Sequence, residues 1–300
     1  MINVKVPASS ANLGVGYDVL GLAVNMYLHA SFATSPDGRL HIHGGDARFH
    51  NADNLIYQAF RFGARRLHAT VPPLTITTDA DMPAARGLGS SAACIVAGLE
   101  GANQLYRARW SRDDLLAMAT EMEGHPDNVA PAIFGQLCAT IMNADGTSCV
   151  AQYALNPNWR MVVLIPNVPV STNAARSILP HTLSYADASY QMGRCTLMTA
   201  ALSRGDAAML GHAATDKMQE PYRARLIPEF AAVRQLATTH NAVALISGSG
   251  STMLAIAHDA ADAYAIAAVA RQQWPQWQVR AVQPDAAGVT STVAAQAVAE

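Results

Sequence analysis

The stretch RGLGSSAAC, residues 86–94, follows Met82-Pro83 and leads straight into a segment of helical periodicity. From Ala92 the apolar residues Ala92, Ile95, Val96, Leu99, Ala102 and Leu105 recur at i, i+3 and i+4, which buries one face of a helix. The spacing predicts a helix over 91–106 with its first turn at the serines and Ser90 or Ser91 as its N-cap. A helix start offers unpaired backbone N–H groups and the positive end of the macrodipole. Gly87 and Gly89 let the backbone approach a bulky anion without Cβ interference. These are the parts of a phosphate cradle. Taken alone, they also describe a capped helix after a glycine turn, so other stretches have to decide.

The cradle is not of the common nucleotide-loop kinds. A Walker A loop would carry Lys directly after its last Gly, a dinucleotide fingerprint would read G-x-G-x-x-G after a buried strand, and protein-kinase motifs are absent. Without its own lysine, such a loop relies on backbone dipoles, serine hydroxyls and a divalent ion, so a carboxylate is expected elsewhere to hold the metal.

The 300-residue chain is long enough for one large domain or two modest ones, and two are expected. A composition that is 51% hydrophobic and 14% charged, with a formal net charge of -2, speaks against disorder and against nucleic-acid binding. Cys94, Cys138, Cys149 and Cys195 lack both zinc-site spacing and the density of a disulfide framework, so they read as reduced thiols. There is no signal-peptide pattern and no apolar run near the ~20 residues that span a bilayer, which predicts a cytoplasmic protein without membrane partners.

Short β-branched or alternating runs (INVKV, YLHASFA, RLHIH, LTITT, LCATIMN, RMVVLIP, VALIS, TMLAIA, QVRAV) interleave with helical stretches over 54–68, 91–106, 112–123, 128–134, 184–204, 229–240 and 260–274. Strands crowd the early chain and long helices the late chain, which indicates an α+β fold. Asn156-Pro157-Asn158 separates two strand signals. The expected division is residues 1–158, carrying the phosphate loop, and residues 159–300.

Two further stretches accompany the glycine loop. VPASSANLGVGYDVLGLAV, residues 6–24, sets Asn12, Gly14, Gly16 and Asp18 in a turn-rich insert between strand signals, and ISGSGST, residues 246–252, is a Gly-Ser turn between two strands. With MPAARGLGSSAA, these stretches resemble, in order, the three signature motifs of the GHMP small-molecule kinases. EGHPDNVAPAIFG (123–135), ADNLIYQAF (52–60), VSTNAARSILP (170–180) and EPYRARLIP (220–228) are similar to the homoserine kinases of that family rather than to its sugar or mevalonate kinases. The resemblance implies an N-terminal domain like domain 2 of ribosomal protein S5, a C-terminal ferredoxin-like domain, and ATP bound between them. It also implies a homodimer. The implied activity is ATP-dependent phosphorylation of the L-homoserine hydroxyl to O-phospho-L-homoserine, on the route to threonine.

Homoserine is zwitterionic, so its enzyme needs cations for the carboxylate and anionic or carbonyl groups for the ammonium. By resemblance, Arg176 and Arg223 face the carboxylate and the transferred phosphate, and Thr172, one turn before Arg176 if the segment is helical, lies near the reactive hydroxyl. Asn12 and Asp18 match the ammonium side, while His125 and Asn128 close over the substrate. Arg176, Thr172 and Asn128 form the implied catalytic set. Pro83, Arg86, Gly87, Leu88, Gly89, Ser90, Ser91 and Ala92 form the implied ATP loop, with Asn54 near the adenine. Mg²⁺ is expected on Ser91 and a glutamate of TEMEGHPDN, Glu121 being preferred over Glu123; two oxygen ligands suffice for an ion that keeps its waters. Asp127 is expected to turn away from the substrate rather than act as a base. Ser251 stands where the family often has proline and keeps a backbone donor there.

Overall fold

A computed structural model describes residues 1–294. In chain order its elements are β1 (Ile2–Ala11), β2 (Leu20–Thr34), β3 (His41–His43), α1 (Leu55–Arg66), β4 (Leu74–Ala80), α2 (Ser90–Tyr106), α3 (Arg112–Glu123), α4 (Val129–Phe134), β5 (Leu137–Met142) and β6 (Ser148–Tyr153). They are followed by β7 (Arg160–Ile165), α5 (Thr172–Ser177), α6 (Tyr185–Arg204), α7 (Ala207–Ala213), α8 (Glu220–Arg223), α9 (Phe230–Thr239), β8 (Ala242–Ile246), β9 (Met253–Ala257), α10 (Ala260–Gln273), β10 (Gln278–Val282) and β11 (Thr290–Val293).

The first sheet runs β11-β1-β2-β4-β3, with β5 joining the start of β2 and β6 joining β5. Its pairs are antiparallel except β3 with β4. β1 extends past the predicted INVKV through PASSA, because Ala8 to Ala11 pair with Val24 to Gly21 after a register shift at Pro7/Ala8. The second sheet runs β10-β7-β9-β8, all antiparallel. Numbered within this half the order is 4-1-3-2, with helices between the first two and the last two strands, which is the ferredoxin-like arrangement.

The residues of β7 explain its central position. Met161, Val163 and Ile165 join the core shared with the first sheet, whereas Val162 and Leu164 join a second core under α9 and α10. A strand covered on both faces reads as an unbroken apolar run, here RMVVLI.

The chain passes from the first sheet to the second between Tyr153 and Arg160, either side of Asn158. It does not stay there. After β10, Val24 bridges to Pro284, and β11 pairs with β1. Residues 284–293, expected in the second domain, therefore complete the first sheet; residues 295–300 of that expected domain lie outside the described residues. Helices α6 and α7 also contribute Met198, Ala201, Leu202, Leu210 and Ala213 to the first core. No described helix is long and apolar enough to cross a membrane, and the four cysteines form no disulfide.

Candidate active site

Sequence motifs more than 200 residues apart meet at one cleft between the halves. A cavity of about 330 Å³ is lined by the turn after β1, the glycine loop before α2, the loop between α3 and α4, the start of α5, α8, and the turn between β8 and β9. Asn12, Asp18, Gly87, Gly89, Ser90, Ser91, His125, Asn128, Thr172, Arg176 and Arg223 all line it. So do Ala85, Val170, Ser171, Gly248 and Ser249, which were not foreseen as site residues, together with Glu123, the glutamate ranked second for the metal, and Asp127, expected to turn away.

The glycine loop is shaped by its protein neighbours. α2 is capped by Gly89 itself, at φ 65°, with no side-chain cap, so neither Ser90 nor Ser91 is the N-cap. The first-turn N–H groups thus remain available to an anion. A Cβ on Gly89 would run into Ser9 Oγ and come within 2.9 Å of Asn128 Oδ1, and one on Gly87 (φ 80°) would meet Ser247 O and the Gly250 backbone. Position 87 is glycine because the third motif lies against it: Ser247 Oγ donates to Gly87 O at 2.6 Å and Thr252 N to Arg86 O at 3.0 Å. Ser251 Oγ donates to Val168 O, tying that turn to the chain ahead of α5.

Several expected ATP-loop residues serve the scaffold instead of lining the cleft. Leu88 and Ala92 are buried in the core, and Arg86 directs Nη1 to Ala84 O and Ala85 O at 3.3 Å each. Pro83 is half-buried outside the cavity lining. Asn54 caps α1: its Oδ1 accepts from Ile56 N and Tyr57 N while Nδ2 donates to Phe49 O. That commitment occupies Oδ1 twice and one of the two N–H groups of Nδ2.

The metal expectation changes glutamate. Glu121 turns to the protein surface and pairs with Arg66, whereas Glu123 Oε2 accepts from Ser91 Oγ at 2.5 Å inside the cleft. α3 accounts for this: positions 121 and 123 are about 200° apart around a helix, so they cannot face the same side. Burial raises the Glu123 carboxyl above its ordinary value, against the lowering effect of the Ser91 hydrogen bond.

Beyond α3 the chain carries His125, Asp127 and Asn128 into the cleft. Asp127, expected to face elsewhere, is 2% exposed and points inward. Its Oδ1 bonds to His125 Nδ1 at 2.6 Å and accepts from Asn128 N at 3.0 Å. The Asp127 hydrogen bond raises the His125 imidazole above its usual value despite burial. Ser9 Oγ donates to Asn128 Oδ1 at 2.8 Å, leaving the Asn128 amide Nδ2 as its remaining polar group.

The charged wall stands opposite. α5 is a short helix capped by Ser171, whose Oγ accepts from Ala174 N, and Thr172 and Arg176 sit one turn apart on it. Arg176 forks onto Asp18, with Nη2 to Oδ1 at 2.8 Å and Nη1 to Oδ2 at 3.0 Å. Burial works against its charge, but the hydrogen bond and charge of Asp18 keep Arg176 above its ordinary value. Arg223, 2% exposed, donates to Gln219 Oε1 at 2.7 Å and Gly248 O at 2.8 Å, and burial lowers its pKa. Asn12 is 3% exposed and uses both ends of its amide internally, donating to Gly248 O at 3.0 Å and accepting from Asp18 N at 3.0 Å. It shapes the turn that presents Asp18, which lies at φ 57°.

Comparison with known proteins shows the family. The model for the GHMP kinases N terminal domain matches residues 54–136 and that for the GHMP kinases C terminal matches residues 198–276. A homoserine kinase of a Synechococcus species is 42% identical over 260 residues, covering 85% of each chain. The chain belongs to the GHMP kinase family. A homoserine kinase of Clostridium botulinum is 35% identical over 292 residues, 96% of this chain and 97% of that one. The crystal structure of homoserine kinase from Cytophaga hutchinsonii superposes with a TM-score of 0.87 at 29% identity, covering 97% of both chains. Membership makes the chain a kinase of the two-domain α+β GHMP fold, a family that uses ATP as phosphoryl donor.

Proposed function

We propose that the enzyme transfers the γ-phosphoryl group of ATP to the hydroxyl of L-homoserine, giving O-phospho-L-homoserine and ADP, a step toward threonine. The observation that carries this reading is the pairing, in one cleft, of a glycine-loop helix start with a carboxylate, Asp18, and two arginines, Arg176 and Arg223. Such a set complements a small zwitterion beside a polyphosphate. The names of the relatives support the same substrate.

In this reading Asp18 takes the substrate ammonium, and Arg176 and Arg223 take its carboxylate and the equatorial oxygens of the moving phosphoryl group. Thr172 and Asn128 Nδ2 flank the nucleophilic hydroxyl. The first turn of α2 receives the ATP phosphates. Mg²⁺ fits Ser91 and Glu123, whose hydroxyl and carboxylate oxygens already meet within the cleft. Among the described residues no cluster of three His, Cys, Asp or Glu side chains makes a protein-only cage, so the ion's other ligands would be water and phosphate oxygens. When bound, the ion neutralises phosphate charge.

The hydroxyl proton needs no dedicated base, since the transition state is largely dissociative and positioning with charge neutralisation carries most of the acceleration. Asp127 is already engaged by His125 and the Asn128 backbone, and serves to orient both. A coupled assay of ADP release with homoserine, mevalonate and galactose tests the assignment. Homoserine-dependent release is expected, and turnover of another alcohol without it overturns the reading.

A further inference from the structure

The two arginines of the cleft are held in different electrostatic states. Arg223 meets only neutral groups: Gln219 Oε1, Gly248 O and, at 3.3 Å, Ala175 O. Its charge is unspent on any protein carboxylate within ion-pair distance among the described residues. Arg176 is the opposite case. Both of its terminal nitrogens are engaged by Asp18, in the same two-pronged geometry that a substrate carboxylate or phosphate would use. While that pair is closed, the end-on Nη1/Nη2 face of Arg176 is filled.

A third side chain touches this arrangement. Tyr17 OH accepts from Arg176 Nη1 at 2.8 Å, and its ring lies 5.6 Å from the Arg176 guanidinium carbon and 5.2 Å from that of Arg223. The ring face attracts both cations at once and so offsets their mutual repulsion. It would hold Arg176 in the cleft whether or not Asp18 is bound to it.

Resting on the functional reading above, we infer that Asp18 keeps Arg176 neutralised in the substrate-free enzyme and that the substrate ammonium, by engaging Asp18, frees the Arg176 fork for the anions of the reaction, with Tyr17 retaining the freed side chain. The amine is thereby read twice. It gains its own contact with Asp18, and it makes a cation available elsewhere in the site. An alcohol lacking the amine loses both, so it fails in turnover as well as in binding. This is a coupling between two subsites through one shared ion pair, and its size equals the free energy by which the ammonium relieves the Asp18–Arg176 contact.

The probe is 4-hydroxybutanoate, which keeps the carboxylate and hydroxyl of homoserine without the amine. The variants are Asp18→Asn and Asp18→Gly, the latter suited to the left-handed backbone at this position. Each is compared with wild type for kcat and KM on both alcohols, with ATP binding and melting temperature as folding controls. Both variants are expected to lose kcat/KM for homoserine. At the same time their kcat/KM for 4-hydroxybutanoate is expected to rise at least about fivefold above wild type, the lower end of common coupling factors. If Asp18 were only an ammonium contact, neither folded variant would improve on 4-hydroxybutanoate, and that result overturns the inference. Tyr17→Phe supplies a second measurement: KM for homoserine is expected to rise about 3- to 10-fold, in line with one lost hydrogen bond, with KM for ATP unmoved. Equal changes in both KM values would refute the positioning role of Tyr17. Wild-type enzyme showing no homoserine dependence would instead refute the functional reading, and that arm is run first.

Discussion

Replacing Gly89 by alanine probes the glycine loop at its most constrained point. At φ 65° an alanine carries a conformational penalty of about 1–2 kcal/mol. Its Cβ would also strike Ser9 Oγ and lie 3.3 Å from Ser9 Cβ, dislodging the 2.8 Å bond from Ser9 to Asn128. Loss of that bond adds about 1 kcal/mol. The sum, about 2–3 kcal/mol, lowers the melting temperature by roughly 4–12 °C for a chain of this size. Calorimetric titration with ATP should show weakened binding, because the same displacement moves the first N–H groups of α2. Ser9→Ala removes the hydroxyl that the new methyl meets, so the double variant should be less destabilised than the two single effects added together. Gly89→Ala melting within about 1 °C of wild type, with normal ATP affinity, would refute the argument.

Four other substitutions test individual carboxylates. Glu123→Gln should abolish most Mg²⁺-dependent turnover, while Glu121→Gln removes only the exposed pair with Arg66 and should change stability by less than about 1 kcal/mol and leave kcat intact; steady-state kinetics against Mg²⁺ concentration distinguishes them. Asp127→Asn should reduce kcat by less than the roughly 10²- to 10⁴-fold of a lost general base, as read from kcat across pH. Burial pushes the carboxyl of Glu220 up to about 8, and Ile246 N donates to its Oε1 at 2.7 Å. Between the unfolded carboxyl value of about 4.3 and that raised value, the native state holds a proton the unfolded state lacks, so this group's contribution to stability declines as pH rises. Glu220→Gln should flatten that decline in urea unfolding series at pH 5, 6.5 and 8.

Much of this architecture was legible because it rests on local rules. The apolar spacing from Ala92 to Leu105 specifies α2, and Arg112 to Glu123 is the same segment in sequence and structure because Ser111 and Asp114 form a capping box. β11 was missed since TSTV has no alternating apolar pattern; it exists through pairing with β1 from across the chain. The short helix α8 is likewise held by tertiary bonds, with Asp216 Oδ2 accepting from Gln219 N and Glu220 N. The charged groups of the cleft could be named by motif, but their pairings could not. Which glutamate meets Ser91 depends on the rotation of α3 against α2, and Ser9, Tyr17 and Gln219 act through partners 119 to 205 residues distant. A register-level reading of TEMEGHPDN contains no such angle.

The return of β11 to the first sheet has a consequence for how the protein is made. β1 is synthesised before every other described element, yet one of its two edges is covered by residues 290–293, and Ala294 N donates to Met1 O at 2.9 Å. Until residues 290–293 have been made, that edge has unpaired N–H and C=O groups and can template a strand from another chain. A fragment ending near residue 158 keeps the open edge permanently and should associate with itself. Because the two ends of the described chain are hydrogen-bonded neighbours, a short linker joining them, with new termini at the exposed turn 143–147 between β5 and β6, would deliver strands β11 and β1 together.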